Sequence, residues 1–159
     1  MINSVLLDVD GVLTDGSFWY SNMGKTLKRF GSHDGQAIKI ALNFFKVSLI
    51  TADVRGFDIS QLRANDMNVQ CILVSEGDRA SWIAQRYEKS STALVADSFS
   101  DIPSIDKVGR SFAPNNAHPA FKAKVDVILE ANSGEGAVAE ALDILLMENH
   151  GIHLWQYAE

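Results

Sequence analysis

The chain predicts an α/β fold in which a parallel sheet is sandwiched by helices and a β-hairpin protrudes from the layers. Three observations carry this. Short apolar, β-branched runs alternate with stretches of helical periodicity along the sequence. Repeated strand–helix units of that kind build parallel sheets covered on both faces. One segment alone, near the N-terminus, breaks the alternation. The layering expected is Rossmann-like, with ligands bound beyond the carboxyl ends of the strands.

Each element follows from its residues. Val5-Leu6-Leu7 opens a buried strand over residues 5–9. Residues 17–20 and 26–30 flank Ser21-Asn22-Met23-Gly24 and read as a hairpin with a polar turn. Ile38, Ala41, Leu42 and Phe45 share one face of a helix over 34–45. A strand over 47–51, a short helix over 57–65 and a strand over 69–73 follow. Trp82, Ile83 and Arg86 sit at helical spacing within 78–87, before a strand over 92–96. A helix over 100–107 has Pro103 near its start, where proline is tolerated. A short strand at 111–113, a helix over 117–123 with Pro119 early, a strand over 125–129 and the longest helix, 136–149, complete the set.

Size and composition fit one domain over residues 1–159, with a hairpin at 17–30, a tail at 150–159 and no room for a cap domain between the strands. Hydrophobic content of 47% and charged content of 21% are ordinary for a soluble globular protein. The net charge of −6 argues against sequence-independent nucleic-acid binding. Phosphate substrates remain open, because a bound cation reverses the local field. Cys71 stands alone in an apolar run and reads as a small core residue. The apolar runs have strand length and no basic leader precedes them, so no membrane is implied and a cytoplasmic place is the expectation.

The chemistry concentrates at strand ends. Asp8-Val9-Asp10-Gly11-Val12-Leu13-Thr14-Asp15 follows the first strand. Residues two apart on an extended chain point the same way, so Asp8 and Asp10 can share a pocket. Two carboxylates that close need a shared proton or a cation. A carboxylate nucleophile beside a second carboxyl that shuttles protons, with a divalent cation between, suits phosphoryl transfer. The plain alternative is an acidic turn at a strand end. Asp97-Ser98-Phe99-Ser100-Asp101 follows a later strand and offers carboxylates for a hard cation such as magnesium; capping of the next helix is the structural alternative. Thr51 ends its strand, where its hydroxyl can donate to a transferring phosphoryl group or serve a turn.

The string DVDGVLTDG resembles the first motif of the haloacid-dehalogenase (HAD) superfamily of phosphohydrolases. More narrowly, the chain from Ser4 to Leu146 is similar to the small cap-less phosphatases of 3-deoxy-octulosonate (Kdo) phosphate. The resemblance implies a magnesium-dependent phosphomonoester hydrolase for a small acidic sugar phosphate, Kdo 8-phosphate or a related nonulosonate phosphate. It makes Asp8 the nucleophile that forms an aspartyl-phosphate, and Asp10 the general acid and base. Asp10 also supplies a main-chain ligand to the metal that Asp8, Asp97 and Asp101 hold. Thr51 matches the second motif. Asn115, Asn116, His118, Gly134 and Gly136 lie in a closing segment that runs parallel to the family's; by themselves they read as turn and cap residues.

The chain departs from the pattern at several points. Relatives follow the threonine with Gly-Arg where this chain has Ala52-Asp53, and carry Lys in the third motif where it has Arg79. Ala96 stands for a Gly, and His33 for an Arg before Asp34-Gly35. Arginine is planar and bulkier than the point-charge lysine. His33 reads equally as a substrate contact or a surface residue; Asp34, Gly35 and Arg55 complete the expected substrate-binding group. The hairpin, with Phe18, Trp19, Tyr20, Leu27 and Phe30, reads as a subunit interface, its alternative being to fold over its own core. The resemblance implies a homotetramer in which a neighbour helps close the active site. A weak or inactive assembly domain associated with sugar-activating cytidylyltransferases is the rival reading, favoured by Arg79, Ala52 and Ala96. The tail, with Trp155 and Tyr157, is expected to pack on a neighbour or fray.

Overall fold

The computed structural model describes residues 1–157. Strands β1 (Ser4–Asp8), β4 (Lys46–Thr51), β5 (Gln70–Leu73), β6 (Thr92–Val95), β7 (Arg110–Ala113) and β8 (Val127–Ile128) form one sheet. Their order is β5-β4-β1-β6-β7-β8, and every pairing is parallel. Strands β2 (Thr14–Ser21) and β3 (Gly24–Phe30) make the separate antiparallel hairpin. The helices are α1 (Ser32–Ala41), α2 (Phe57–Met67), α3 (Glu76–Arg86), α4 (Ile102–Ile105), α5 (Pro119–Lys122) and α6 (Ala137–His150).

Strand periodicity divides the core between the two faces of the sheet. Val5 and Leu7 of β1, Val47 and Leu49 of β4, and Ala93 and Val95 of β6 pack with residues of α1, α2 and α6. Leu6, Ile50 and Leu94 point to the opposite face, against Ile83 of α3 and Phe121 of α5. Central strand β1 lies in register with β4 on one side and β6 on the other, Leu7 beside both Leu49 and Val95. The chain switches sides of β1 after β5, which opens a crevice at the carboxyl ends of β1, β4 and β6.

Several boundaries differ from those the sequence predicts. Strand β1 ends at Asp8 rather than 9, because the chain winds through a helical turn over Val9–Leu13 that is broken at Asp10 and Gly11. Helix α1 ends at Ala41 instead of 45. The backbone then tightens into turns, yet Phe45 still reaches the core at the place its helical spacing predicted. Strand β8 is only two residues long, because the Asp126 carboxylate takes the Ser111 amide and hydroxyl at 2.8 and 2.7 Å in place of further ladder bonds.

The hairpin begins at Thr14, three residues earlier than expected, and turns at Asn22 and Met23. Its ladder is irregular: Trp19 pairs with Leu27, but Tyr20 pairs with Lys25, so β3 carries one extra residue there. Trp19, Tyr20, Met23 and Leu27 are exposed, whereas Lys28 is buried. The tail packs on its own chain. Leu154 is buried, its amide donates to Asp143 Oδ1 at 2.7 Å, and Tyr157 meets the Phe44 ring edge-on. Trp155 is exposed, and the last two residues of the expected tail, 158 and 159, lie outside the described residues.

Candidate active site

A cleft of about 380 Å³ opens where β1, β4 and β6 end. Asp8, Asp10, Thr51, Arg79, Asp97 and Asp101 all line it. Asp8 is the last residue of β1. Asp10 reaches the same space through the turn after the strand, not by strand alternation. Gly11 makes that turn possible: its φ is +90°, and a Cβ there would overlap the Asp97 carboxylate.

Asp97 follows β6. Ser98, rather than Asp97, caps the short turn over Phe99–Asp101, and its amide donates to Asp101 Oδ2 at 3.3 Å. Asp97 is therefore free of the capping role that its position allowed. Arg79 comes from the first turn of α3, which starts at Glu76, two residues before the expected 78, with Ser75 as its cap. The guanidinium is buried. One amino nitrogen lies 3.1 Å from Asp8 Oδ1, and the other donates to Asp101 Oδ1. Arg79 thus keeps a cation between two of the carboxylates.

Carboxylate oxygens of Asp8, Asp97 and Asp101 lie within 4.8 Å of one another, close enough to bind one ion. Burial raises the Asp8 pKa well above the carboxylate range; Arg79 opposes the rise, and Asp101, Asp97 and Asp10 add to it. Asp97 is pushed up to about 7, by burial first and by the Asp101 charge next. An all-oxygen donor set with more negative charge than Arg79 balances fits a hard divalent cation such as Mg²⁺.

The other wall comes from the hairpin and from the loop after β4. Gly16, Phe18 and Lys25 of the hairpin and Ala52 and Asp53 of the loop line the cleft. Lys25 Nζ sits 3.5 Å from the Phe18 ring centroid and 2.5 Å from Asp53 Oδ2. Lys28 Nζ lies 2.8 Å from the same Asp53 oxygen and 2.8 Å from Asp10 Oδ1. The Asp53 carboxyl is held down at about 2: its burial works the other way, but the bonds from Lys25 and Lys28 outweigh it. Thr51 Oγ1 donates to Asp10 Oδ2 at 3.4 Å and accepts from the Asp53 amide at 3.1 Å.

The four residues expected to bind substrate stand apart from this cleft. His33 and Arg55 are exposed and line none of it. Asp34 is fully buried; its carboxylate accepts from the Ala139 amide at 3.0 Å and the Gly136 amide at 3.4 Å, capping α6. Burial raises the Asp34 pKa against those amide bonds. Gly35 lies where α1 meets Arg63, and a Cβ would crowd that guanidinium. Lys25 and Lys28 went unnoticed in the sequence, and Asp53 stood out only as a departure from pattern.

No family model matches the chain. It is 32% identical over 152 residues to the 3-deoxy-D-manno-octulosonate 8-phosphate phosphatase KdsC of Escherichia coli K12, across 92% of this chain and 80% of that protein. Among solved structures it is similar to the cobalt-bound deoxy-D-mannose-octulosonate 8-phosphate phosphatase of Haemophilus influenzae. The TM-score is 0.80 and the identity 31%, over 92% of this chain and 88% of that one. A HAD-superfamily subfamily III A hydrolase structure from Legionella pneumophila superposes with a TM-score of 0.83 at 28% identity, over 91% and 82% of the two chains. With two buried carboxylate groupings at the ends of β1 and β6 and relatives of this length and identity, the chain is a HAD-type phosphatase and belongs to the cap-less Kdo 8-phosphate phosphatase-like family of the haloacid-dehalogenase superfamily.

Proposed function

We propose that the chain hydrolyses the phosphomonoester of a small acidic sugar, Kdo 8-phosphate or a related nonulosonate phosphate, through an aspartyl-phosphate on Asp8. The carrying observation is the cluster of Asp8, Asp97 and Asp101 in one cleft with Asp10, Thr51 and Arg79. Magnesium held by Asp8, Asp97, Asp101 and the Asp10 carbonyl would neutralise these carboxylates and the phosphoryl oxygens. Asp8 attacks phosphorus while Asp10 protonates the leaving alkoxide; Asp10 then takes a proton from the water that opens the intermediate. Thr51 and Arg79 donate to the transferring group, and Arg79 keeps Asp8 oriented. Arg79 in place of lysine fits this reading, because its fork touches both Asp8 and Asp101.

The sugar end of the substrate needs more than this wall. The exposed Trp19, Tyr20, Met23 and Leu27 of the hairpin suit contact with another copy of the chain. We therefore propose a cytoplasmic homotetramer in which a neighbour covers the cleft, and in which His33 and Arg55 meet a sugar held between subunits.

Phosphate release from a panel of sugar phosphates tests the reading. Release should require Mg²⁺, stop with chelator, and fall by ~10³-fold or more in Asp8→Asn. A folded, metal-binding protein that releases phosphate from none of the esters would overturn it.

A further inference from the structure

The Asp10 carboxyl is gripped by a hairpin lysine. Lys28 extends from β3 with a side chain 0% exposed. Its ammonium lies 2.8 Å from Asp10 Oδ1 and hydrogen-bonds Oδ2 at 3.0 Å. It also reaches Asp53 Oδ2 at 2.8 Å and donates to Ser60 Oγ at 2.9 Å. An ammonium has three donors, and Asp10, Asp53 and Ser60 supply three acceptor groups. Ser60 is fixed in turn by its bond to the Gly56 carbonyl at 3.3 Å. A Cβ on Gly56 would overlap Asp53, Lys28 and Lys25, so the group is packed from below as well.

A buried ammonium is costly to desolvate, and an apolar side chain of similar length would serve the fold as well. The contact with Asp10 gives the charge a use. Asp10 Oδ2 accepts from Lys28 and Thr51, and the buried Oδ1 lies 2.8 Å from the same ammonium, so Lys28 holds both oxygens.

We propose that Lys28 is a positioning residue for the general acid: it fixes the Asp10 carboxyl, and with it the direction from which the Asp10 proton reaches the leaving group. The proposal rests on the phosphatase reading above. In the first step a bond forms between an Asp8 oxygen and phosphorus. The ester P–O bond breaks, and its electron pair stays on the sugar oxygen. The Asp10 proton passes to that oxygen, so an alcohol departs and Asp10 is left as a carboxylate facing Lys28. Proton donation of this kind contributes ~10²-fold or more and depends on placement within hydrogen-bond reach.

The test compares kcat/KM of the Mg²⁺-loaded enzyme on two esters. A sugar phosphate leaves as an alkoxide and needs the proton; p-nitrophenyl phosphate leaves as a stable phenolate and does not. Lys28→Met should lose ~10²-fold on the sugar ester and only a few-fold on the aryl ester, with Mg²⁺ affinity unchanged. Ser60→Ala, which removes a single hydroxyl from the grip, should show the same selective loss at smaller size. Equal losses on both esters, or none, would overturn the proposal while leaving the phosphatase reading intact. If Lys28→Met does not fold, Ser60→Ala decides by the same ratio. Wild-type protein that hydrolyses neither ester would overturn the phosphatase reading, and this proposal with it.

Discussion

Two buried charge clusters face each other across the cleft, and they are built on opposite principles. At the ends of β1 and β6, Asp8, Asp97 and Asp101 cluster, and Arg79 touches Asp8 and Asp101. On the hairpin side Lys25, Asp53, Lys28 and Asp10 alternate in sign, each carboxylate touching a lysine. The first cluster has more carboxyls than cations, and burial raises the Asp8 and Asp97 carboxyls. In the second, Lys25 and Lys28 both reach Asp53, which is held down at about 2. Like charges at that range stay ionised together only when something positive joins them. One wall is therefore completed by an ion from solution, while the other is complete in the chain itself.

Swapping one carboxylate for its amide on each wall should separate the two designs. Asp97→Asn should weaken Mg²⁺ binding by more than the ~10–100-fold typical of losing an indirect partner. It should not lower the Tm of the metal-free protein, because it relieves repulsion. Calorimetric titration and thermal unfolding check both. Asp53→Asn should do the reverse: it removes the carboxylate that two lysines share, one of them fully enclosed, and costs about 2 kcal/mol. That corresponds to a fall of roughly 4–8 °C in Tm at this chain length. If both variants moved Tm the same way, the contrast between the walls would be wrong.

The pH dependence gives a smaller effect of the same kind. Asp97 titrates near 7 in the folded chain against an ordinary 3.8, so the folded state holds a proton that the unfolded state releases. Its contribution is full below the ordinary value and is lost as pH rises through about 7. Asp53, at about 2, has the opposite sign: its contribution is present above the ordinary value and is lost as pH falls through about 2. Metal-free protein should lose a few degrees of Tm between about pH 4 and 7, and Mg²⁺ should restore them at the upper end. A metal-free Tm that rises over that interval would contradict the assignment of Asp97 to the uncompensated wall.

The metal-side wall was legible in the sequence because its parts are local. Asp8, Thr51 and Asp97 each sit at the end of an apolar run, and a parallel sheet brings such ends together. Arg79 was found by its place in a helix start. The lysine wall was hidden for a physical reason. Its four members come from a turn, a hairpin strand and a loop, and no spacing in the chain relates residues 10, 28 and 53. Asp34 shows a third case. It reads as belonging to its own helix, while its carboxylate serves amides 102 and 105 positions later.

The extra residue in β3 has a consequence for how this wall can vary. Lys25 and Lys28 are three apart, and on a regular strand they would face opposite ways. Both reach Asp53 because Tyr20 is opposed by Lys25, with Thr26 passed over. The pairing is thus a matter of parity. Adding one residue to β2 opposite Thr26 would make the ladder regular, leave every charged residue in place and send Lys25 to the other face. Within this family, a one-residue difference in hairpin length can remove a cation from the cleft with no substitution at either lysine.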